Sequence, residues 1–388
     1  MKKKFFALMM ACVMAFTMTA CGGGDDTTSG DTQNDAQSAS DSVVIGTIGP
    51  LTGPYANYGL SVKQGAEIAV AEINAAGGIG GKQVVLLSED SQGDPDSAVS
   101  AYGKLMDDGM HAFLGCTLSG ETANVVAAAA EDDVLLLTPS GSADKCLEGN
   151  DKAFRVCFYD SYQGTAAAQY IIDNELATEV AVLYQSDVDY SVGLYNSFKA
   201  KCEESNIKIV ETQTFTATTA TDFSTQVDAL AASGVKVVFT PIYAEEASTF
   251  LTQAKGKFAS DVYFFGADGL DGILGKVEQD PTIANNVLML TPFAADSEDA
   301  GVKSFVEAYQ KAYNATPDQF AAGSYDGVYV LKAAIEKAGS TSGAALAQAM
   351  TEITVEGITG SMTWTADGNT SKAAKAILYF DGEGKLFG

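Results

Sequence analysis

Hydroxyl side chains and a carboxylate follow several apolar runs of the sequence, and together they have the chemistry to bind a zwitterion. Ser119 lies just beyond AFLGC and opens an Ala-rich stretch, so we expect it to cap a helix whose free backbone N–H groups attract an anion. Ser140 and Ser142 follow VLLLTP and add uncharged donors. Asp268 follows VYFFGA in the other half of the chain. The neutral donors suit a carboxylate and Asp268 suits an ammonium, so the sequence predicts a site for an α-amino acid.

Two tyrosines follow apolar runs in the second half of the chain. Tyr190 comes after VAVLYQSDVD, and Tyr243 comes directly after VFTPI. We expect their rings to enclose the side chain of the same ligand. Each charge-assisted hydrogen bond is worth about 1.5 to 3 kcal/mol, and burial of a leucine-sized side chain adds about 2 to 3 kcal/mol. These contributions suffice for micromolar binding, which needs about 8 kcal/mol.

The elements that position these residues alternate along the chain. From Val43 onwards, short β-branched runs alternate with stretches of helical period, and the same order repeats after Cys157. Such a series predicts parallel, doubly wound sheets of the α/β class. Ligands of these sheets bind beyond the carboxyl ends of the strands, which is where the polar residues described above lie. The 346 residues from Val43 to Gly388 exceed what one hydrophobic core usually covers, so we expect two lobes.

The helical spacing of apolar residues also predicts individual helices. One covers residues 162–173, and three later ones cover residues 301–313, 320–338 and 343–350. The chain then ends in AILYFDGEGKLF, whose DG and GEG turns predict a closing hairpin.

The composition argues against several other functions. The chain carries 50 acidic and 23 basic residues and a net charge of -27, so nucleic acid and anionic lipid are poor partners. His111 is the only histidine, no GxSxG surrounds a serine, and no CxxC spacing suggests zinc. The run GGIGGK follows a helical stretch and precedes a strand, so it predicts a turn and not a phosphate loop. We therefore expect a binding protein that is not an enzyme and has no metal or cofactor.

The N-terminal region has the pattern of an export signal. Three lysines precede the apolar run Phe5–Ala20, which is typical of a signal peptide over residues 1–20. Cys21 follows Met18-Thr19-Ala20, which resembles the lipobox of bacterial lipoproteins and predicts lipidation of Cys21. An ordinary signal peptide followed by an incidental cysteine is the alternative. The rest of residues 21–42 is small and polar, so we expect a flexible linker between the lipid anchor and the folded body.

Four more cysteines lie in the folded body. Cys146 and Cys157 enclose a short loop that a disulfide could close in an exported protein. Free thiols are the alternative, and the sequence does not decide between them. Cys116 and Cys202 have no predicted role.

Several stretches of the sequence resemble the periplasmic Leu/Ile/Val-binding proteins of ABC transporters, which are two-lobed receptors of type I fold. The resemblance covers nearly all of the chain from Val43 to Gly388. The stretches that carry it are IGPLTGPYANYG, GAEIAVAEINAAGGIGGK, EDSQGDP, LLLTPSGS, DFSTQVDAL, FFGADG and a late GxMTW.

The resemblance implies ligand-binding roles for seven residues. Those implied for the carboxylate are Ser119, Ser140 through its backbone, and Ser142. The residue implied for the ammonium is Asp268, and the aromatic positions of the pocket are Tyr58, Tyr190 and Tyr243. Asp268 replaces the longer Glu of the best-known members, which leaves the preferred side chain of the ligand open.

The family also implies an organisation and a task. It implies three crossovers, near residues 160, 291 and 365. They divide the body into an N-terminal lobe (43–160 plus 292–364) and a C-terminal lobe (161–291 plus 365–388) joined by a three-strand hinge. The implied task is to capture a branched-chain amino acid by closure of the hinge and to deliver it to the permease of an ABC transporter. We expect a monomer that the predicted lipid on Cys21 anchors at the extracytoplasmic face of the cell membrane. The alternatives are a receptor of the same fold for urea, a short amide or an aromatic acid, and a sensor subunit without transport.

Overall fold

The structure of the chain is a computed structural model that describes residues 42–372 and 374–387. The predicted signal peptide and Cys21 lie outside the described residues, as does the predicted linker except for its last residue, Ser42, which begins a strand. Among the residues that the structure describes, no helix is both long enough and apolar enough to cross a membrane.

A five-stranded parallel sheet forms the core of the first lobe. Its strands are β1 (Ser42–Gly49), β2 (Gln83–Asp90), β3 (Ala112–Leu114), β4 (Leu135–Thr138) and β5 (Ala153–Arg155). They pair in the order β2-β1-β3-β4-β5, and every pair is parallel. The helices between them are α1 (Ala56–Ala75), α2 (Pro95–Asp107) and α3 (Ser119–Ala128). This is the predicted alternation of strand and helix.

A seven-stranded sheet forms the core of the second lobe. The elements that follow β5 are, in order, α4 (Asp160–Asp173), β6 (Glu179–Gln185), α5 (Asp189–Glu204), β7 (Lys208–Phe215), α6 (Ser224–Ala232), β8 (Val237–Phe239), α7 (Ala244–Ala254), β9 (Tyr263–Gly266), α8 (Ile273–Lys276) and β10 (Val287–Thr291). The remaining elements are α9 (Ala300–Tyr313), α10 (Gln319–Ala338), α11 (Gly343–Met350), β11 (Thr354–Gly357), β12 (Gly360–Thr363), β13 (Lys375–Phe380) and β14 (Glu383–Leu386).

The order of the second sheet is β14-β13-β10-β9-β8-β6-β7. Strands β6 to β10 pair in parallel, whereas β13 is antiparallel to β10 and to β14. The closing hairpin predicted from the sequence is therefore the β13–β14 pair at the edge of this sheet. Strands β11 and β12 form a separate antiparallel pair.

Both faces of the first sheet are buried at strands β3, β4 and β5, whose successive side chains point to opposite sides. Phe113 packs in one apolar cluster with Leu136, whereas its neighbour Leu114 packs in another cluster with Leu137. Helix α10 belongs to the second of these clusters and lies directly on α1. At Gly65 of α1 a Cβ atom would lie only 2.0 Å from a backbone oxygen of α10, so this close approach requires glycine.

The chain passes between the two sheets three times. The three crossovers are the segments between β5 and α4, between β10 and α9, and between β12 and β13. After the first crossover α4 packs on α5 of the second lobe, and after the second crossover α10 packs on α1 of the first lobe. The fold is thus two lobes with mainly parallel sheets, as the sequence pattern predicted, joined by the three crossovers that the family resemblance implied.

Candidate functional site

All seven residues predicted to bind the ligand line one cavity between the lobes, which we call the interlobe cavity. It is narrow in this closed form, with a volume of about 10 Å³. Its lining consists of Tyr58, Thr117, Leu118, Ser119, Ser140, Ser142, Tyr190, Tyr243, Asp268, Gly269 and Phe320. The structure therefore brings the predicted residues together, although they come from distant parts of the chain.

Ser119 lies at the first turn of α3 but does not cap it, so that part of the prediction was wrong. The N-cap residue is Leu118, whose extended backbone leads into the helix. The carboxylate of Glu121 accepts a hydrogen bond from the Leu118 N–H (3.3 Å), which is the bond that the third helical residue makes in a capping box. The Ser119 hydroxyl is instead used by a neighbouring loop, where it accepts the N–H of Ala143 (3.1 Å).

The loop that carries Ser140 and Ser142 is held by Arg155, the only arginine of the chain. Its guanidinium is fully buried and donates to four consecutive carbonyl groups. The oxygens and distances are Gly141 (3.3 Å), Ser142 (2.7 Å), Ala143 (3.2 Å) and Asp144 (3.3 Å). The planar fork of arginine suits such a fan of acceptors, and lysine lacks it. Sequence reasoning assigned no role to Arg155, because its partners are backbone atoms that no side-chain motif reveals.

Ser140 offers its backbone to the cavity. Its hydroxyl donates to the carbonyl of Thr117 (2.7 Å), whereas its N–H makes only a long contact of 3.4 Å with the hydroxyl of Thr138. A carboxylate is a better acceptor than that hydroxyl, because hydrogen bonds to charged groups are stronger. This geometry suits the backbone role that the family resemblance implies for Ser140.

Asp268 is a buried carboxylate on the opposite side of the cavity, only 4% exposed. The hydroxyl of Tyr190 donates to its Oδ1 (2.9 Å) and accepts the N–H of Gly269 (2.8 Å). Burial raises the pKa of Asp268 to about 6, and the hydrogen bonds from Tyr190 and Gln163 limit the rise. The group is therefore ionised at neutral pH and suits a cation.

A second buried carboxyl group lies near Asp268 at the start of α4. Burial, followed by the charge of Asp268, raises the pKa of Asp160 well above its usual value. Because like charges in a buried site disfavour each other, the charge of Asp268 adds to the effect of burial and favours the protonated form of Asp160. Sequence reasoning did not single out Asp160.

Aromatic rings form the remaining walls. The rings of Tyr190 and Tyr243 stack at 4.7 Å with an interplanar angle of 6°, and Tyr58 meets Phe320 edge to face at 4.9 Å. Phe320 was not predicted as a site residue. It is the second residue of α10 and does not follow a strand, so the local sequence pattern does not indicate that it lines the cavity.

The lobes are closed on each other around the cavity. The hydroxyl of Tyr58 in α1 donates to the carbonyl of Gly269 (2.6 Å) and accepts the N–H of Ala244 (2.8 Å), both of the second lobe. The hydroxyl of Tyr55 donates to Glu246 (2.7 Å) across the same cleft. A solute reaches the interlobe cavity only when these contacts separate, so the site requires the lobes to open.

Cys146 and Cys157, for which the sequence left a disulfide open, are free thiols in the structure. The thiol of Cys146 donates to the carbonyl of Ser119 (3.4 Å) beneath the cavity. Burial raises the pKa of both thiols to about 12, so neither is reactive in this conformation.

The fold and the site define a two-lobed receptor for a small solute. The family model described as "Periplasmic binding protein" matches residues 42–382, and the chain belongs to this family. The chain is 32% identical over 360 residues to the Leu/Ile/Val-binding protein homolog 3 of Brucella melitensis, which covers 91% of this chain and 95% of that protein.

Two solved structures have the same fold. One is the branched-chain amino acid transporter substrate binding protein LivJ of Streptococcus pneumoniae in complex with isoleucine, with a TM-score of 0.82 and 30% identity over 89% of this chain and 99% of that one. The other is the leucine binding protein LivK of Thermotoga maritima, with a TM-score of 0.82 and 26% identity over 89% and 98% of the two chains. They confirm the predicted family and fold.

Proposed function

We propose that this chain captures an α-amino acid, with Leu, Ile and Val as the expected class, and delivers it to an ABC importer. The observation that carries the proposal is the pairing of a single buried carboxylate, Asp268, with serine donors on the opposite wall of one cavity. This arrangement complements the two charges of a zwitterion, and the closed lobes exclude water from both. The ligands named for the similar proteins support the same class.

The cavity walls between Asp268 and the serine donors are mainly apolar, which favours a ligand with an apolar side chain. Leu118 and the rings of Tyr58, Tyr243 and Phe320 line this part of the cavity. Burial of a leucine-sized side chain contributes about 2 to 3 kcal/mol. Discrimination among Leu, Ile and Val is expected to be weak, because one methylene is worth only about 1 to 3 kcal/mol.

The test is a thermal-shift screen of the mature protein with all twenty amino acids, followed by calorimetry. Leu, Ile or Val should give the largest stabilisation and one ligand bound per chain. Urea, acetamide and benzoate serve as comparison ligands. If one of them stabilises the protein and no amino acid does, the role given to Asp268 is wrong. Recovery of the ligand unchanged after incubation distinguishes a binding protein from an enzyme.

We also propose that the body is tethered outside the cytoplasm by a lipid on Cys21, after removal of residues 1–20. The support is the sequence around Cys21 and the periplasmic family of the body. In cells, Cys21→Ala should abolish incorporation of labelled palmitate. Unchanged incorporation by the variant would contradict the anchor.

The lobe boundaries and the oligomeric state complete the proposal. We place the lobes at 43–160 plus 292–364 and at 161–291 plus 365–388, which is supported by the sheet membership of β5, β10 and β13. We expect a monomer with and without ligand, since the site is built from one chain. Light scattering after gel filtration tests this expectation.

A further inference from the structure

A second cavity lies at the hinge, and it shares no residue with the interlobe cavity. It is open to solvent and has a volume of about 810 Å³. We call it the hinge cavity, and all three crossovers contribute to it. The residues that matter here are Tyr159, Tyr162, Pro292, Thr359, Lys372 and Lys375.

Two lysines that face the hinge cavity have no charged partner in direct contact. Fourteen other lysines within the described residues form ion pairs with carboxylates. Among residues 42–372 and 374–387, neither Lys372 nor Lys375 has a hydrogen bond or a carboxylate within 4 Å. Lys372 and Lys375 face one carboxylate in the lining of the cavity, that of Asp299, so the charged groups of the lining sum to one positive charge in a chain of net charge -27.

The nearby acids are already engaged with backbone groups. Asp326 attracts Lys372 electrostatically, but its carboxylate accepts the N–H groups of Ile358 (2.9 Å) and Thr359 (3.0 Å). Asp299 also lines the cavity, and it caps α9 by accepting the N–H of Gly301 (2.8 Å). Burial lowers the pKa of Lys372 to about 8, and the negative charge of Asp326 limits the fall.

Two phenol groups add uncharged donors to the same wall. The rings of Tyr159 and Tyr162 lie 6.2 Å apart and both face the cavity. Within the described part of the chain, neither hydroxyl has a hydrogen-bond partner. Each is thus free to donate to an anion held by the lysines.

We propose that the hinge cavity binds a small organic molecule with two or more negative charges, whose anionic groups contact Lys372 and Lys375. The tyrosine hydroxyls hydrogen-bond the same molecule, and the rings pack on its carbon skeleton. A monovalent anion satisfies one lysine at most, so it binds more weakly. This site is independent of the amino acid site and does not depend on the function proposed for it.

The experiment is a calorimetric titration of the mature protein with citrate, and with acetate at matched ionic strength. Citrate should bind once per chain, and acetate at least about tenfold more weakly, since each charge-assisted hydrogen bond corresponds to roughly tenfold or more in affinity. Lys372→Met and Lys375→Met should each weaken citrate binding by about tenfold or more. Lys311→Met is the matched control, because Lys311 is an exposed lysine of α9 that does not line the cavity.

Three results would overturn the proposal. They are citrate binding no stronger than acetate binding, citrate binding that survives both substitutions, and an equal loss in the Lys311→Met control. Lys375 is exposed at the first residue of β13, so its variant still decides the question if Lys372→Met does not fold.

Discussion

Replacement of Asp268 by asparagine isolates the charge that the proposed function requires. The amide oxygen of asparagine still accepts the hydroxyl of Tyr190, which donates to Asp268 at 2.9 Å. The volume of the side chain is nearly unchanged, so the 4% exposed position remains filled. The substitution therefore removes the negative charge with little change in packing.

The expected loss follows from the interaction between the carboxylate and the ligand ammonium. A hydrogen bond between charged groups in a buried site is worth about 1.5 to 3 kcal/mol. Since 1.4 kcal/mol is about tenfold in affinity, Asp268→Asn should weaken leucine binding by about 10- to 150-fold. Calorimetry at pH 7.5 on the wild type and the variant measures this change.

The matched ligand is 4-methylpentanoate, which is leucine without its ammonium group. The variant should bind it at least as well as the wild type does, because no cation is left to pair with the carboxylate. An equal loss for both ligands would mean that Asp268 supports the pocket walls instead of the ammonium. Unchanged leucine affinity would refute the zwitterion geometry altogether.

Further predictions concern the serine loop, the closed form and pH. Arg155→Lys cannot donate to four carbonyls at once, so the free energy of unfolding in urea should fall by about 1 to 3 kcal/mol, with weaker leucine binding; unchanged stability would contradict the role of the guanidinium. Tyr55→Phe removes the hydrogen bond to Glu246 across the cleft, so leucine should dissociate about 2- to 12-fold faster in stopped-flow measurements. A change in the association rate alone would argue against a role of this bond in holding the lobes closed. Because the ammonium needs ionised Asp268, whose pKa is about 6, leucine affinity should fall up to about tenfold per pH unit below pH 6 and stay level above it. Titrations of Asp268→Asn should show no such slope.

The pH dependence of stability is tested separately at Asp318. Burial and the nearby Asp271 raise the pKa of Asp318 to about 7. The pKa of Asp318 is higher in the folded chain than in the unfolded chain. Such a carboxyl group contributes stability at pH values below its pKa in the unfolded chain, and this contribution is lost as the pH rises through about 7. Asp318→Asn should therefore melt at a higher temperature than the wild type at pH 8, with the difference reduced at pH 4. A constant difference across this range would contradict the shift.

The strand ends could be predicted because two periodicities are visible in the sequence. Alternating β-branched runs locate the strands, and parallel strands bring their carboxyl ends to one edge, where Ser119, Ser140 and Asp268 lie. The helical period of the apolar residues likewise located the helices. Helix α4, for example, begins at Asp160, two residues before the predicted start.

Features that depend on tertiary approach were not predictable. Phe320 reaches the cavity because α10 packs closely on α1, which no local pattern encodes. The cap of α3 was misassigned because the helix already includes Ser119, and its hydroxyl accepts the N–H of Ala143 from a loop that is distant in sequence. Arg155 donates hydrogen bonds to backbone carbonyl groups. Because every residue has such a carbonyl, the sequence does not show which ones an arginine binds.

The hydroxyl of Tyr58 completes both of its hydrogen bonds with protein groups alone. An empty receptor that shuts therefore leaves this hydroxyl satisfied, so this group does not oppose the shut form in the absence of ligand. A transporter that recognises only that form would be activated without cargo and would hydrolyse ATP to no effect. The basal turnover of the importer then reports how often its receptor shuts empty. Tyr58→Phe, which removes the two bonds, should lower that idle consumption of ATP.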